Sequence, residues 1–128
     1  MSTLRCTNLQ DTSGGNSLTT AQIYNGAAKA WVNFNGTGTV AIRASFNVSS
    51  ITDNGTGDYT VNFSSALSDA NYVVLACSDT NNNINNRNIP PRIWGSNAIS
   101  TTSFRTTNYN EGNVGSIDIS YAMYAVFR

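Results

Sequence analysis

Seven carboxylates, Asp11, Asp53, Asp58, Asp69, Asp79, Glu111 and Asp118, are the groups with which this 128-residue chain could do acid–base chemistry. The chain has no histidine, which removes the Ser-His-Asp and Cys-His pairings, the common zinc sites and the usual general base near neutral pH. Catalysis would have to rest on a carboxylate pair of the glycosidase kind. Asp53 and Asp58 flank one turn, and their simplest role is to accept hydrogen bonds from turn amides. A calcium site and a catalytic pair are the competing accounts. Gly36-Thr37-Gly38 and Gly55-Thr56-Gly57 would suit phosphate cradles only if a helix followed, and none is expected after either. The expectation is a protein without enzymatic activity, metal or cofactor.

A second chemistry is recognition. Asn81, Asn82, Asn83, Asn85, Asn86 and Arg87 offer paired amide donors and acceptors with one guanidinium, groups that satisfy sugar hydroxyls. Trp94 or Tyr109 could stack on a pyranose face beside them. The competing account is a solvated loop whose asparagines cap their own backbone, with Trp94 in the core. Loops on a rigid β scaffold commonly carry specificity, which keeps the sugar-binding reading in play.

The elements that must position these residues read as strands. From Val40 the apolar residues take every second place (Val40, Ile42, Ala44, Phe46, Val48), the period of a half-buried strand. Tyr59, Val61 and Phe63 repeat it, and Asp53-Asn54-Gly55-Thr56-Gly57 between the two runs predicts a β-hairpin. Trp31, Val32 and Phe34 predict an earlier strand, ended by Asn35-Gly36-Thr37-Gly38, with Trp31 in the core or at a subunit contact. Tyr72 to Cys77 is a continuous apolar run, expected to be a central strand covered on both faces, with Cys77 a small buried hydrophobe. Pro90-Pro91 interrupts any regular ladder, so a strand at Arg92-Ile93-Trp94 is expected only after it. Ser100 to Thr107 predicts a polar strand and Asn108 to Asn113 a loop. Ser116 to Arg128 predicts the last strand, alternating through Ile117, Ile119 and Tyr121 and then apolar on both faces. Residues 1–28 carry only sparse apolar points, with Ser13 to Asn16 as a flexible interruption. A short helix near Leu18 to Ala30 is possible, capped by Ser17 or Thr19, with Gly26 opposing its extension.

Composition narrows the class. Seven basic and seven acidic residues give zero formal net charge, and only 11% of residues are charged, so nucleic-acid binding is not expected. Neither a signal peptide nor an apolar run of membrane-spanning length is visible, so no membrane insertion is expected. Two cysteines are too few for a disulfide framework; both are read as free thiols, which suits assembly in a reducing cytoplasm.

The segments KAWVNFNGTGTVAIRASFNVSSITDNGTGDYTVNF and LSDANYVVLA closely resemble a module of bacteriophage tail-fibre and related virion structural proteins, especially of phages of marine bacteria and cyanobacteria. The polar LRCTNLQDTSGGNSLTTAQIYNG upstream resembles the neck before such heads, so the likeness runs from about Leu4 to Cys77. It implies an all-β antiparallel sandwich head over residues 29–128, after an extended, partly helical neck or attachment segment over residues 1–28. It also implies a homotrimer located in the virion and attached to other virion proteins through residues 1–28. Host-surface glycan recognition by the loops follows from that setting. Two alternatives stand beside it. One is an architectural capsid-decoration, head-fibre or baseplate subunit that binds only virion proteins, and the other is a monomeric carbohydrate-binding module.

Overall fold

The computed structural model describes residues 3, 5–79, 88–93, 95, 98–110 and 115–128. The chain begins with a small hairpin of β1 (Asn8–Gln10) and β2 (Ser17–Thr19). Its loop is a turn in which the Asp11 carboxylate accepts from the amides of Gly15 and Asn16, the Asn16 side chain and the Ser13 hydroxyl. Helix α1 (Thr20–Gly26) follows, started by Thr19 as anticipated. The Gln22 amide donates to Thr19 Oγ1 at 3.1 Å while the Thr19 amide donates to Gln22 Oε1 at 2.8 Å, a reciprocal capping box.

The head is an antiparallel β-sandwich. One sheet has the order β4-β3-β11-β7, from β3 (Ala28–Asn35), β4 (Ala41–Phe46), β7 (Val73–Asp79) and β11 (Tyr121–Phe127). The other has the order β10-β9-β6-β5, from β5 (Val48–Gly55), β6 (Asp58–Phe63), β9 (Ser103–Asn110) and β10 (Gly115–Ser116), with β8 (Asn88–Ile93) also paired to β9. Alternation decides what goes inside. Ala30, Val32 and Phe34 of β3 and Ala122, Tyr124 and Val126 of β11 face Tyr59, Val61 and Phe63 of β6 and Phe104 of β9. Six rings run through this core in contact: Tyr59 against Phe34 at 5.2 Å, Phe34 against Tyr124, Tyr124 against Phe104 at 5.5 Å, Phe104 against Phe63, and Phe63 against Tyr72.

Several expectations need correction. The run from Val40 to Val48 is not one strand. It breaks at Asn47, whose φ of 53° only a residue tolerant of the left-handed region adopts readily. The Asn47 side chain holds the corner, donating to Lys29 O and Ser65 O and accepting from the Ser65 amide at 2.8 Å. The halves therefore join different sheets: β4 pairs β3, and the hairpin around Thr56-Gly57 is made by β5 with β6. A bulge in β4 then turns the expected core face outward. Ile42 lies opposite buried Phe34, but beyond Arg43 the alternation resumes with Ala44 and Phe46 opposite outward-facing Asn33 and Trp31.

The Tyr72 to Cys77 run lies mostly in β7, which is an edge strand of its sheet, and Cys77 is exposed. Pro90 and Pro91 lie within β8, at the register shift between Ile89 and Arg92, where a missing amide costs no ladder bond. The final strand starts at Tyr121, since residues 117–120 leave the ladder to carry Ile119 into the core.

Arg105 grips Asp58 with two hydrogen bonds, at 2.8 and 2.5 Å, and Arg128 pairs with Asp69. The Arg105 guanidinium holds the Asp58 carboxyl below its usual range, and Arg128 holds Asp69 down to about 2. Burial pushes Tyr72 and Tyr124 up to about 12, and pushes Tyr59 higher still, aided by its hydrogen bond to Asp118. The signs set a pH profile. Carboxyls with lowered pKa stabilise the fold above about pH 4 and lose that contribution as pH falls toward 2. Tyrosines with raised pKa stabilise it below about pH 10 and lose that contribution toward pH 12. With no histidine, denaturant midpoints are expected to stay nearly level from about pH 5 to 9 and to fall on both sides. The Asp58→Asn, Asp69→Asn double variant should show a shallower acid limb.

Candidate functional site

Most of the recognition residues expected from sequence, Asn81, Asn82, Asn83, Asn85, Asn86, Arg87 and Trp94, lie outside the described residues. Tyr109 is placed by its backbone in β9, opposite Ile89 of β8 and Ser116 of β10. The flanking carboxylates are described and separately engaged. Asp53 accepts from the Gly55 amide at 2.9 Å, as a turn acceptor should, whereas Asp58 is taken by Arg105, opposite Thr60 across the β6–β9 ladder. Among the described residues no group of three or more Cys, Asp or Glu could hold a metal ion. No described helix is long and apolar enough to cross a membrane.

The structure assembles a different surface, the outer face of the four-stranded sheet. On β3, the residues alternating with buried Ala30, Val32 and Phe34 are Lys29, Trp31 and Asn33. Register then fixes a row across the sheet. Phe46 lies opposite Trp31, Trp31 opposite Ala125, and Ala125 opposite Leu75. The next row is Ala44, Asn33, Met123 and Cys77. Val73 continues the face at the β7 end, opposite Phe127, and Tyr121 at the other end. Trp31 and Tyr121 are 41% exposed, Phe46 54%, Leu75 57% and Val73 60%.

The relief of this face follows from side-chain size. Ala125, with no side chain beyond Cβ, lies between Trp31 and Leu75 and leaves an open groove of about 380 Å³, lined chiefly by Trp31, Asn33, Leu75, Cys77, Met123 and Ala125. Beside the groove stands the ridge formed by Phe46 and Trp31. The lining is almost wholly apolar, and the Asn33 Oδ1 within it is buried without a hydrogen-bond partner. Two cations stand near its margins: Arg43 lies over the Tyr121 ring at 4.1 Å, and Lys29 lies over the Tyr24 ring at 3.6 Å while donating to the Tyr24 carbonyl. Such a surface suits contact with another apolar surface and offers few groups for polar ligands.

Sequence reasoning missed this face because it assigned Phe46, Leu75 and Cys77 to the interior. The available signal was β11, where both faces turn apolar after Tyr121, and the unbroken apolar run Val73 to Cys77 in β7. Trp31, left between core and subunit contact, is not core. No protein-family model matches the chain, and no curated protein and no solved structure matches it.

Proposed function

We propose that this chain is a non-enzymatic virion protein, the sandwich head of a short fibre that assembles as a homotrimer with residues 1–28 as its neck. The observation that carries the reading is the state of the amino-terminal segment. Every residue from 5 to 27 is exposed, including Leu9, Leu18, Ile23 and Tyr24. A hairpin of three pairs and a helix of seven residues are marginal on their own in water, and here neither buries a side chain. Symmetry-related copies would supply the missing apolar contacts along a shared axis. The resemblance of the segment around Lys29–Leu67 to phage fibre modules points the same way. Host-surface glycan recognition by Arg87, Trp94, Tyr109 and the neighbouring asparagines belongs to this reading, since three copies on one head make weak contacts effective.

The architectural alternative has an observation in its favour: the exposed face of the four-stranded sheet is mostly apolar, which suits contact with another protein. One pair of measurements separates these readings. The full chain at micromolar concentration should have three times the monomer mass by light scattering; a folded monomer would overturn the trimer. Arg87→Ala with Trp94→Ala should then abolish adsorption to host cells while assembly survives. Unchanged adsorption would leave the architectural role.

A further inference from the structure

We infer that the outer face of the four-stranded sheet is the seat of a second copy of this chain, with the Phe46–Trp31 ridge of one copy and the groove over Ala125 of another as the fitting parts. The inference rests on the self-assembly proposed above but names a different surface from the neck. Four observations favour a copy of the same chain as the occupant. The first is area. Val73, Leu75, Phe46, Trp31 and Tyr121 on this face present on the order of 500 Å², taking about 150–250 Å² for a whole aromatic side chain. A standard interface takes about 800 Å² from each partner, and homomeric ones are about two thirds apolar, so the patch matches the apolar share of one side.

The second is charge. The centre of the face carries no charged side chain among the described residues, and the chain as a whole is formally neutral, so copies approach without mutual repulsion. The third is relief: ridge and groove lie side by side on the same face, so one surface supplies both knob and socket. The fourth is continuity with the neck. Lys29, at the start of the strand that carries Trp31, holds Tyr24 of α1, so the unburied helix lies beside the beginning of that strand. An assembly that gathers the necks also brings these faces together.

Cys77 is the internal reporter, an exposed thiol in the groove lining. The experiment uses the full chain carrying Cys6→Ser, which leaves Cys77 as the sole thiol, and follows its reaction with a small maleimide alongside solution mass over a dilution series. Under native conditions the thiol should react at least tenfold more slowly in the assembled state than in the dilute monomer. Leu75→Arg, an exposed position on the edge strand, should bring the mass to that of a monomer and restore fast labelling with an unchanged far-UV circular dichroism spectrum. An assembled chain whose Cys77 reacts as fast as the monomer's would overturn the face assignment while leaving the neck-based trimer standing. A chain that is monomeric at every concentration would overturn both.

Discussion

Replacing Gly57 by alanine is expected to cost about 3–5 kcal/mol, while the same change at Gly38 costs about 1–2 kcal/mol. The two glycines share a backbone conformation, with φ of 66° and 62°, so the left-handed penalty is common to both. What differs is the space. A Cβ at Gly38 meets nothing within 4 Å, whereas one at Gly57 would lie 2.5 Å from Ile117 O, 2.7 Å from Ile117 N and 2.9 Å from Asn108 O. These are backbone atoms and cannot swing aside. They also belong to a junction that ties three parts of the chain: the Asn108 amide donates to Gly57 O, the Ile117 amide to Asn108 O, and the Gly57 amide to Asp118 Oδ1 at 2.7 Å. The Tyr59 hydroxyl lies 2.8 Å from both Asp118 Oδ1 and Gly36 O, so its single proton serves one acceptor at a time. Urea denaturation of the two variants measures the difference directly; equal losses would show that the junction gives way without cost.

Truncating Phe34 to alanine should destabilise the head by about 3–5 kcal/mol, a large share of the 5–15 kcal/mol that holds a typical domain. Phe34 is fully buried and touches rings from both sheets, Tyr59 edge-on and Tyr124 stacked at 6.0 Å. Its loss opens a cavity between Tyr59 and Tyr124 and also removes the pair energies of its ring contacts. Thermal melting should fall by roughly 10–20 °C for a domain of this size. Phe34→Leu, which keeps most of the volume, should lose markedly less. A melting temperature unchanged by the alanine would mean that the core repacks around the gap.

Much of the sandwich was legible in the pattern of residues, and the misreadings share one physical origin. Alternation states that a strand has an apolar face but not what covers it. Val61 and Phe63 bury that face within the chain, whereas Ala44 and Phe46, in a run of the same period, hold theirs out to solvent. The bulge at Arg43 and the corner at Asn47 decide this, and both depend on pairing partners distant in sequence. The run from Tyr72 to Cys77 misled in the same way. An apolar strand reads as central whether its second face meets its own chain or nothing within it, and β7 is the latter case. The candidate surface was therefore present in the sequence as residue types but not as a surface. Turn chemistry fared better, because Asn, Asp and Gly act on neighbours a few residues away: Asp53 on Gly55, Asn35 on Thr37 and Thr19 on Gln22 each close their own loop or cap.

The register of β3 has a mechanical consequence. The neck leads into β3 at Ala28, opposite Phe127 near the end of β11, and β3 is flanked by β4 on its other side. A pull on the neck resisted by the far end of the head runs lengthwise along β3, so the bonds of both flanking ladders carry the load together and must slide as a set. A pull applied between neck and carboxy-terminal end instead meets one pair at a time, starting at Ala28 and Phe127, and peels the sheet open. The same hydrogen bonds thus resist tension applied along β3 through the segment before Ala28 and yield to tension applied between Ala28 and Phe127.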